Sequence, residues 1–245
     1  QQVVRLPVKS AAELDAVVAK IVGYETAPGG GAWRNTVGFV ADNYRDALGT
    51  SDGAGDFARF ADTIAALQPP EITIDRVYYD PWKRDAGGQP LPDPWREPDA
   101  TAARLKTLAL LDRGAGLINY IGHSHQWQWA ITDMASSTPY LLSLYDIDGL
   151  TNSAQLPILL ELTCLTSAFQ QPAFSGTTLD ERFMLQPSGG AVATWGSSGL
   201  GVAHGHDALS RGFYTYLWSQ PPGAPALGGA VSAGQLELFA QSGCC

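Results

Sequence analysis

Basic residues are scarce in this 245-residue chain: 15 Lys and Arg stand against 24 Asp and Glu, a net charge of −9. That balance excludes nucleic acid and anionic membrane as the main partner. No apolar run approaches the length of a bilayer span. Three cysteines are too few for a disulfide framework, and two of them, Cys244 and Cys245, sit together after Gly243 at the C-terminal end. Repeats and low-complexity segments are absent, and the loop carboxylates lack EF-hand spacing, so no motif indicates calcium or any other cofactor. The opening QQVVRLPVKS has no charged n-region or apolar h-region; any secretion signal is expected to have been removed or to lie upstream.

What remains is ample for a core: 45% of residues are hydrophobic. Ser10-Ala-Ala-Glu13 reads as a capping box opening a helix with Leu14, Val17, Val18 and Ile21 on one face. TVGFVA reads as a buried strand that stops at Asp42. Asp56 precedes a second helix with Phe57, Phe60, Ala61 and Ile64 on one face. ITIDRVYY is the next strand, followed by a Pro-rich loop insertion at 80–99. Asp99 caps a third helix with Leu105, Leu108 and Leu111 on its apolar face and Gly114 past its end. GLINYI, LPILLELT and GGAVATWG read as further strands, with helices near 178–185 and 206–218. Strands alternating with helices predict one α/β domain over 1–245, three-layered α/β/α with a mostly parallel sheet.

Sites in such sheets form beyond the carboxyl ends of the strands. GLINYI runs into Gly122-His123, LPILLELT into Cys164, and TVGFVA into Asp42. Cysteine, histidine and carboxylate are the parts of thiolate catalysis: imidazole takes the thiol proton, sulfur attacks a carbonyl, and imidazolium protonates the leaving amine. The bland alternative makes Cys164 a small core hydrophobe. Metal is a second competitor, because His123, His125, His204 and His206 form two H-x-H pairs. Only Asp207 offers them a carboxylate at short spacing, and a metal leaves Cys164 without a role unless it is a ligand.

Six fragments in order resemble the gingipain-type cysteine peptidases, peptidase family C25, which have a caspase-like fold. RLPVKSAAELDAVVAKIVGYET is similar to the family's G-R-[LF]-P-V opening, FVADN and VYYDP to its next strand ends, and LINYIGHSH to its N-Y-x-G-H-G. LTNSAQLPILLELTCLTSAF resembles its L-[TS]-N-x-x-x-L-P run into the cysteine, and PSGGAVATWGSS its G-G-A-V-A-x-x-[GA]-[ST]-[ST]. The resemblance implies His123 as catalytic histidine and Cys164 as nucleophile, with His125 outside the pattern. It implies an oxyanion hole at Gly122, Ser124 and Cys164, built from the backbone N–H groups of Cys164 and Ser124. The family carries glycine where Ser124 stands, and serine would be strained there if the backbone is left-handed. Asp42 is the candidate for the acid that orients the imidazole, or else a strand-end turn cap. Asp56 is the candidate S1 residue selecting a basic P1 side chain, or else simply a helix N-cap.

The function expected from the resemblance is a thiol endopeptidase acting on polypeptide, secreted or at the cell surface. Sortase-like transpeptidation and an inactive caspase-like binding scaffold are the alternatives. The chain starts inside the usual catalytic region and stops before the family's F-G-D-P-S-L ending. A flanking subdomain or propeptide is therefore an expected partner. The insertions 81–98 and 131–150 are expected to frame the cleft, and Trp127 and Trp129 either line it or pack beneath it.

Overall fold

Six strands lie side by side and all parallel in the computed structural model of the chain, in the order Arg96–Glu97, Thr73–Tyr79, Thr36–Ala41, Leu117–Ile121, Ile158–Leu162, Ala193–Trp195. The structure describes residues 3–27, 31–46, 48–81, 96–97, 99–132, 140–170, 176–221 and 226–242. In chain order the elements begin with α1 (Ala11–Thr26), β1 (Thr36–Ala41), α2 (Phe57–Ala65), β2 (Thr73–Tyr79), β3 (Arg96–Glu97) and α3 (Ala100–Arg113). Next come β4 (Leu117–Ile121), β5 (Ser124–His125), β6 (Gln128–Trp129), β7 (Leu142–Ser143) and α4 (Leu144–Ile147). The chain continues through β8 (Ile158–Leu162), α5 (Leu179–Leu185), β9 (Ala193–Trp195), α6 (His206–Ser219) and α7 (Leu227–Ser242). Strands β5, β6 and β7 form a small antiparallel sheet of their own.

Alternation along the central strands feeds two cores, one on each face of the sheet. Val37, Phe39 and Ala41 of β1 pack with α2, α6 and α7, whereas Val40 packs with α3 and the small sheet. Likewise Leu117 and Ile121 of β4 face the first layer, and Ile118 and Tyr120 the second. The result is the three-layer α/β/α architecture expected from the alternating pattern.

Three local expectations differ from what is observed. The Ser10 hydroxyl accepts from Glu13 N–H as expected, but the Glu13 carboxylate takes the Lys9 N–H (2.5 Å) and not that of Ser10. Helix α1 buries only Val17; Leu14 and Val18 are substantially exposed. Helix α3 buries Ala100, Ala103, Thr107, Leu110 and Leu111, while Leu105 points outward, so its inward face is built largely from small residues. Most of the Pro-rich insertion, along with Cys244 and Cys245, lies outside the described residues. Its described end, Arg96–Glu97, is an edge strand held by ion pairs from Arg96 to Asp80 and Lys106 to Glu97. Helix α7 is not visible as a pattern because its sequence, LGGAVSAGQLELFAQS, is rich in glycine and alanine. Packing overrides propensity there: a Cβ at Gly234 would lie 2.6 Å from the Leu209 carbonyl oxygen, so the two helices meet backbone to backbone.

Candidate active site

Register brings the reactive residues to one edge. Ala41 pairs with Ile121, and Ile121 with Leu162, so Asp42, Gly122 and Thr163 emerge together from the carboxyl ends of β1, β4 and β8. Thr163 Oγ1 donates to the Gly122 carbonyl at 2.5 Å, tying the histidine-bearing turn to the cysteine-bearing one. Glycine is required at 122: a Cβ there would overlap that of Asp42 and lie 2.7 Å from the Tyr120 hydroxyl oxygen.

His123 follows as an exposed ring held on two sides. Its Nε2 lies 2.6 Å from Asp52 Oδ2, and its ring makes a T-shaped contact with that of Phe57, at 5.4 Å between centroids and 84° between planes. A carboxylate only accepts, so Nε2 carries the proton and Nδ1 is left as the base. Asp42 does not orient the ring. It is buried, its Oδ2 accepts the His123 backbone N–H (3.2 Å), and its Oδ1 accepts from Asn43 N–H (2.9 Å). Burial pushes its carboxyl up to about 6. The ring's acid is Asp52, delivered by a loop that folds on its own carboxylates. Asp46 Oδ1 accepts from Leu48 and Thr50 N–H, Asp52 N–H donates to the Tyr44 carbonyl, and Asp52 Oδ1 accepts from Ala54 N–H. That leaves Oδ2 for the imidazole. Sequence reasoning missed Asp52 because the strand end is one residue away from Asp42 but eleven residues away, through the Asp46 turn, from Asp52.

Cys164 is half-buried, and its sulfur rests against Gly201, which donates its N–H to Sγ at 3.3 Å; its carbonyl oxygen lies 3.6 Å away. The following residue, Leu165, adopts φ +57°, a left-handed turn that costs a leucine roughly 1 kcal/mol. The turn is pinned by Leu165 N–H to the Gly199 carbonyl and Ser167 N–H to the Ser197 carbonyl. Ser124 is not in the left-handed region, so serine is accommodated there without backbone strain. Its hydroxyl touches both the N–H and the carbonyl of Cys164. Ala130 N–H donates to the His123 carbonyl, so residue 123 faces β6 and the next N–H, that of Ser124, is directed away from it.

Asp56 is the N-cap of α2, its Oδ1 accepting from Arg59 N–H at 3.0 Å. It is half-buried and adjacent in sequence to Phe57, which touches the His123 ring. His125 packs on the Trp127 ring, and Trp129 is fully buried. Among the described residues, no three His, Cys, Asp or Glu side chains come together to hold a metal ion, so the two H-x-H pairs do not converge.

The model of peptidase family C25 matches residues 2–244. This chain belongs to peptidase family C25. No characterised protein sequence matches it significantly. Among solved structures, it is similar to the complex of the pro- and mature domains of RgpB from Porphyromonas gingivalis, with TM-score 0.68 and 18% identity over 96% of this chain and 50% of that one. It is also similar to the Arg-specific cysteine proteinase gingipain R, with TM-score 0.67 and 19% identity over 96% of this chain and 49% of that one. The chain thus spans about half the length of the gingipain structures it matches, and at that identity the likeness is one of fold.

Behind Cys164 this C25 chain buries two carboxyl groups that sequence reasoning did not single out. Glu161 of β8 accepts from Trp129 Nε1 (2.5 Å), and Asp180 at the start of α5 accepts from the Ser167 hydroxyl. Gly196 makes room for them: a Cβ there would lie 2.6 Å from Asp180 Oδ2, 3.2 Å from Glu161 Oε2, and closer still to Thr166 Oγ1. Burial, and then the neighbouring Asp180, hold the Glu161 carboxyl well above its ordinary 4.5. A carboxyl whose folded pKa is raised favours folding at low pH and opposes it increasingly as pH rises above the unfolded value. Asp42 acts in the same sense, but only up to about pH 6. Above about pH 6, where Asp42 no longer contributes, Glu161 continues the decline. Glu161→Gln, which donates as the protonated acid does, is expected to flatten that decline; thermal melts across this window measure it.

Proposed function

We propose that this chain carries the catalytic dyad of a C25 cysteine endopeptidase, with Cys164 as nucleophile and His123 as general acid and base. The observation that supports it most is the shared strand edge: β4 and β8 are neighbours in register, one ends in a histidine whose Nε2 is held by Asp52, and the other ends in a cysteine. In this reading the thiol turns from Gly201 towards Nδ1 and gives up its proton, and sulfur adds to the scissile carbonyl. The oxyanion is held by the N–H groups of Cys164 and Ser124. Imidazolium then protonates the leaving amine, the C–N bond breaks, and water activated by the same imidazole releases the acyl group from sulfur. A thiol resting apart from its base in the unliganded protein is compatible with this sequence, since catalytic contacts tighten when substrate binds.

Specificity for a basic P1 side chain is part of the proposal. Asp56, capping α2 next to the residue that abuts His123, is the group for a guanidinium or ammonium. One structural relative is described as an Arg-specific cysteine proteinase, which supports the same direction. Digestion of a denatured protein, followed by mass spectrometry of the new C-termini, tests it: lysine and arginine are expected to dominate, and Asp56→Asn to lower kcat/KM on basic substrates about ten-fold or more, as loss of one charged hydrogen-bond partner does. Cleavage with no preference for basic residues rejects the Asp56 role. The propeptide present in the other relative makes a propeptide, and export from the cell, part of this reading. Among the described residues no helix is long and apolar enough to cross a membrane.

A further inference from the structure

We infer that the Ser124 hydroxyl is a gate on the oxyanion hole, engaging the Cys164 N–H at rest and releasing it only when charge develops on the substrate oxygen. The inference rests on the reading of Cys164 as nucleophile. Ser124 Oγ lies 3.1 Å from Cys164 N, which donates to it, and the hydroxyl donates in turn to the Cys164 carbonyl. A hydroxyl has one hydrogen, and with that hydrogen on the carbonyl its lone pairs face the N–H. Thr163 Oγ1 lies 2.7 Å from Ser124 Oγ and 2.5 Å from the Gly122 carbonyl oxygen. Its single hydrogen is shared between Ser124 and Gly122, and the Gly122 carbonyl still takes it when the serine is replaced.

Ser124 is 8% exposed, so its side chain is held in place and little water competes for the contact. The same residue supplies the second N–H of the hole, directed away from β6. Ser124 thus offers one donor through its backbone while engaging the other through its side chain. An oxyanion is a stronger acceptor than a neutral hydroxyl and displaces it. The serine therefore slows the addition step without preventing it, and it does so only for chemistry that places charge on that oxygen.

Two reagents separate the gate from the thiol itself. Iodoacetamide alkylates sulfur by direct displacement: the S–C bond forms, iodide leaves, the thiol proton goes to solvent, and no oxyanion arises. A peptide aldehyde adds reversibly: the S–C bond forms, the carbonyl π pair moves to oxygen as an oxyanion, and the thiol proton is held by His123 as imidazolium. In Ser124→Ala and Ser124→Gly, iodoacetamide labelling of Cys164 is expected to stay within about two-fold of the parent chain, since thiol reactivity is set elsewhere. Aldehyde affinity is expected to rise about five-fold, the worth of one neutral hydrogen bond. Unchanged or weaker aldehyde binding in a variant that labels normally overturns the gate and makes the hydroxyl a bystander or a donor. Loss of fold in both variants, read by thermal melts, overturns it in favour of a structural staple. A Cys164 inert to iodoacetamide in all three proteins removes the nucleophile assignment itself, and the gate with it.

Discussion

Replacing Cys164 by alanine lowers kcat/KM for peptide cleavage by at least about 10⁴-fold, and His123→Ala does nearly the same, because a nucleophile and its base act as one unit. Neither change is expected to disturb the fold. The sulfur's hydrogen bonds among the described residues are to the backbone of Gly201, and the His123 side chain is 46% exposed, with Asp52 and Phe57 as its partners. The shift in stability should therefore stay within about 1 kcal/mol, as for other partly exposed positions. His125→Ala is the control. Its ring packs on Trp127, so activity is expected to survive. A metal mechanism built on the H-x-H pair predicts instead that both histidines are needed. Steady-state kinetics on a fluorogenic peptide, with thermal melts alongside, decide between them.

Asp52→Asn is the second large effect, and its contrast with Asp42→Asn carries the information. The Asp52 carboxylate fixes the proton on Nε2, 2.6 Å away, and stabilises the imidazolium that forms when the thiol is deprotonated. An amide can present its NH2 to the ring and so favour the opposite tautomer. A buried triad aspartate loses about 10⁴ on this change; Asp52 is partly solvated, so a loss of about 10² to 10³ in kcat is expected. Asp42→Asn keeps an oxygen for the His123 backbone N–H and leaves the ring alone, so kcat is expected to fall no more than about five-fold. What it removes is a titration. Burial raises the Asp42 carboxyl to about 6, above its unfolded value, so folding stability declines as pH rises from about 4 to 6. Asp42→Asn is expected to make that decline shallower, leaving the part carried by Glu161, which melts at pH 4, 5 and 6 measure. If the two variants exchange phenotypes, Asp42 is the orienting acid and the Asp52 contact is incidental.

The central strands and the two chain segments that end in His123 and Cys164 were legible because buried parallel strands read as continuous apolar runs. That parallel neighbours bring their C-terminal ends to one edge followed from the α/β alternation; the register itself is read from the structure. Asp52 was not legible. Its placement depends on Asp46 and Asp52 each accepting backbone N–H groups within the loop 42–56, and nothing in the spacing distinguishes it from the other aspartates there. The small antiparallel sheet was hidden because two-residue strands have no period to detect. It matters, since Ser124 sits in it with a backbone that accepts serine. The Glu161 and Asp180 pair escaped notice because one carboxylate lies in an apolar strand and the other in a capping turn. Only the fold brings them together, beside Gly196.

The most direct measurement of the central claim is covalent labelling by a limiting dose of an arginyl chloromethyl ketone, mapped by peptide mass spectrometry. Selective modification of Cys164, lost in His123→Ala and retained in His125→Ala, is the predicted result. Cys244 and Cys245 supply the baseline for ordinary thiols. A Cys164 that reacts no faster than that baseline, with both the arginyl probe and one bearing an uncharged P1 residue, or that reacts equally fast without His123, contradicts the dyad.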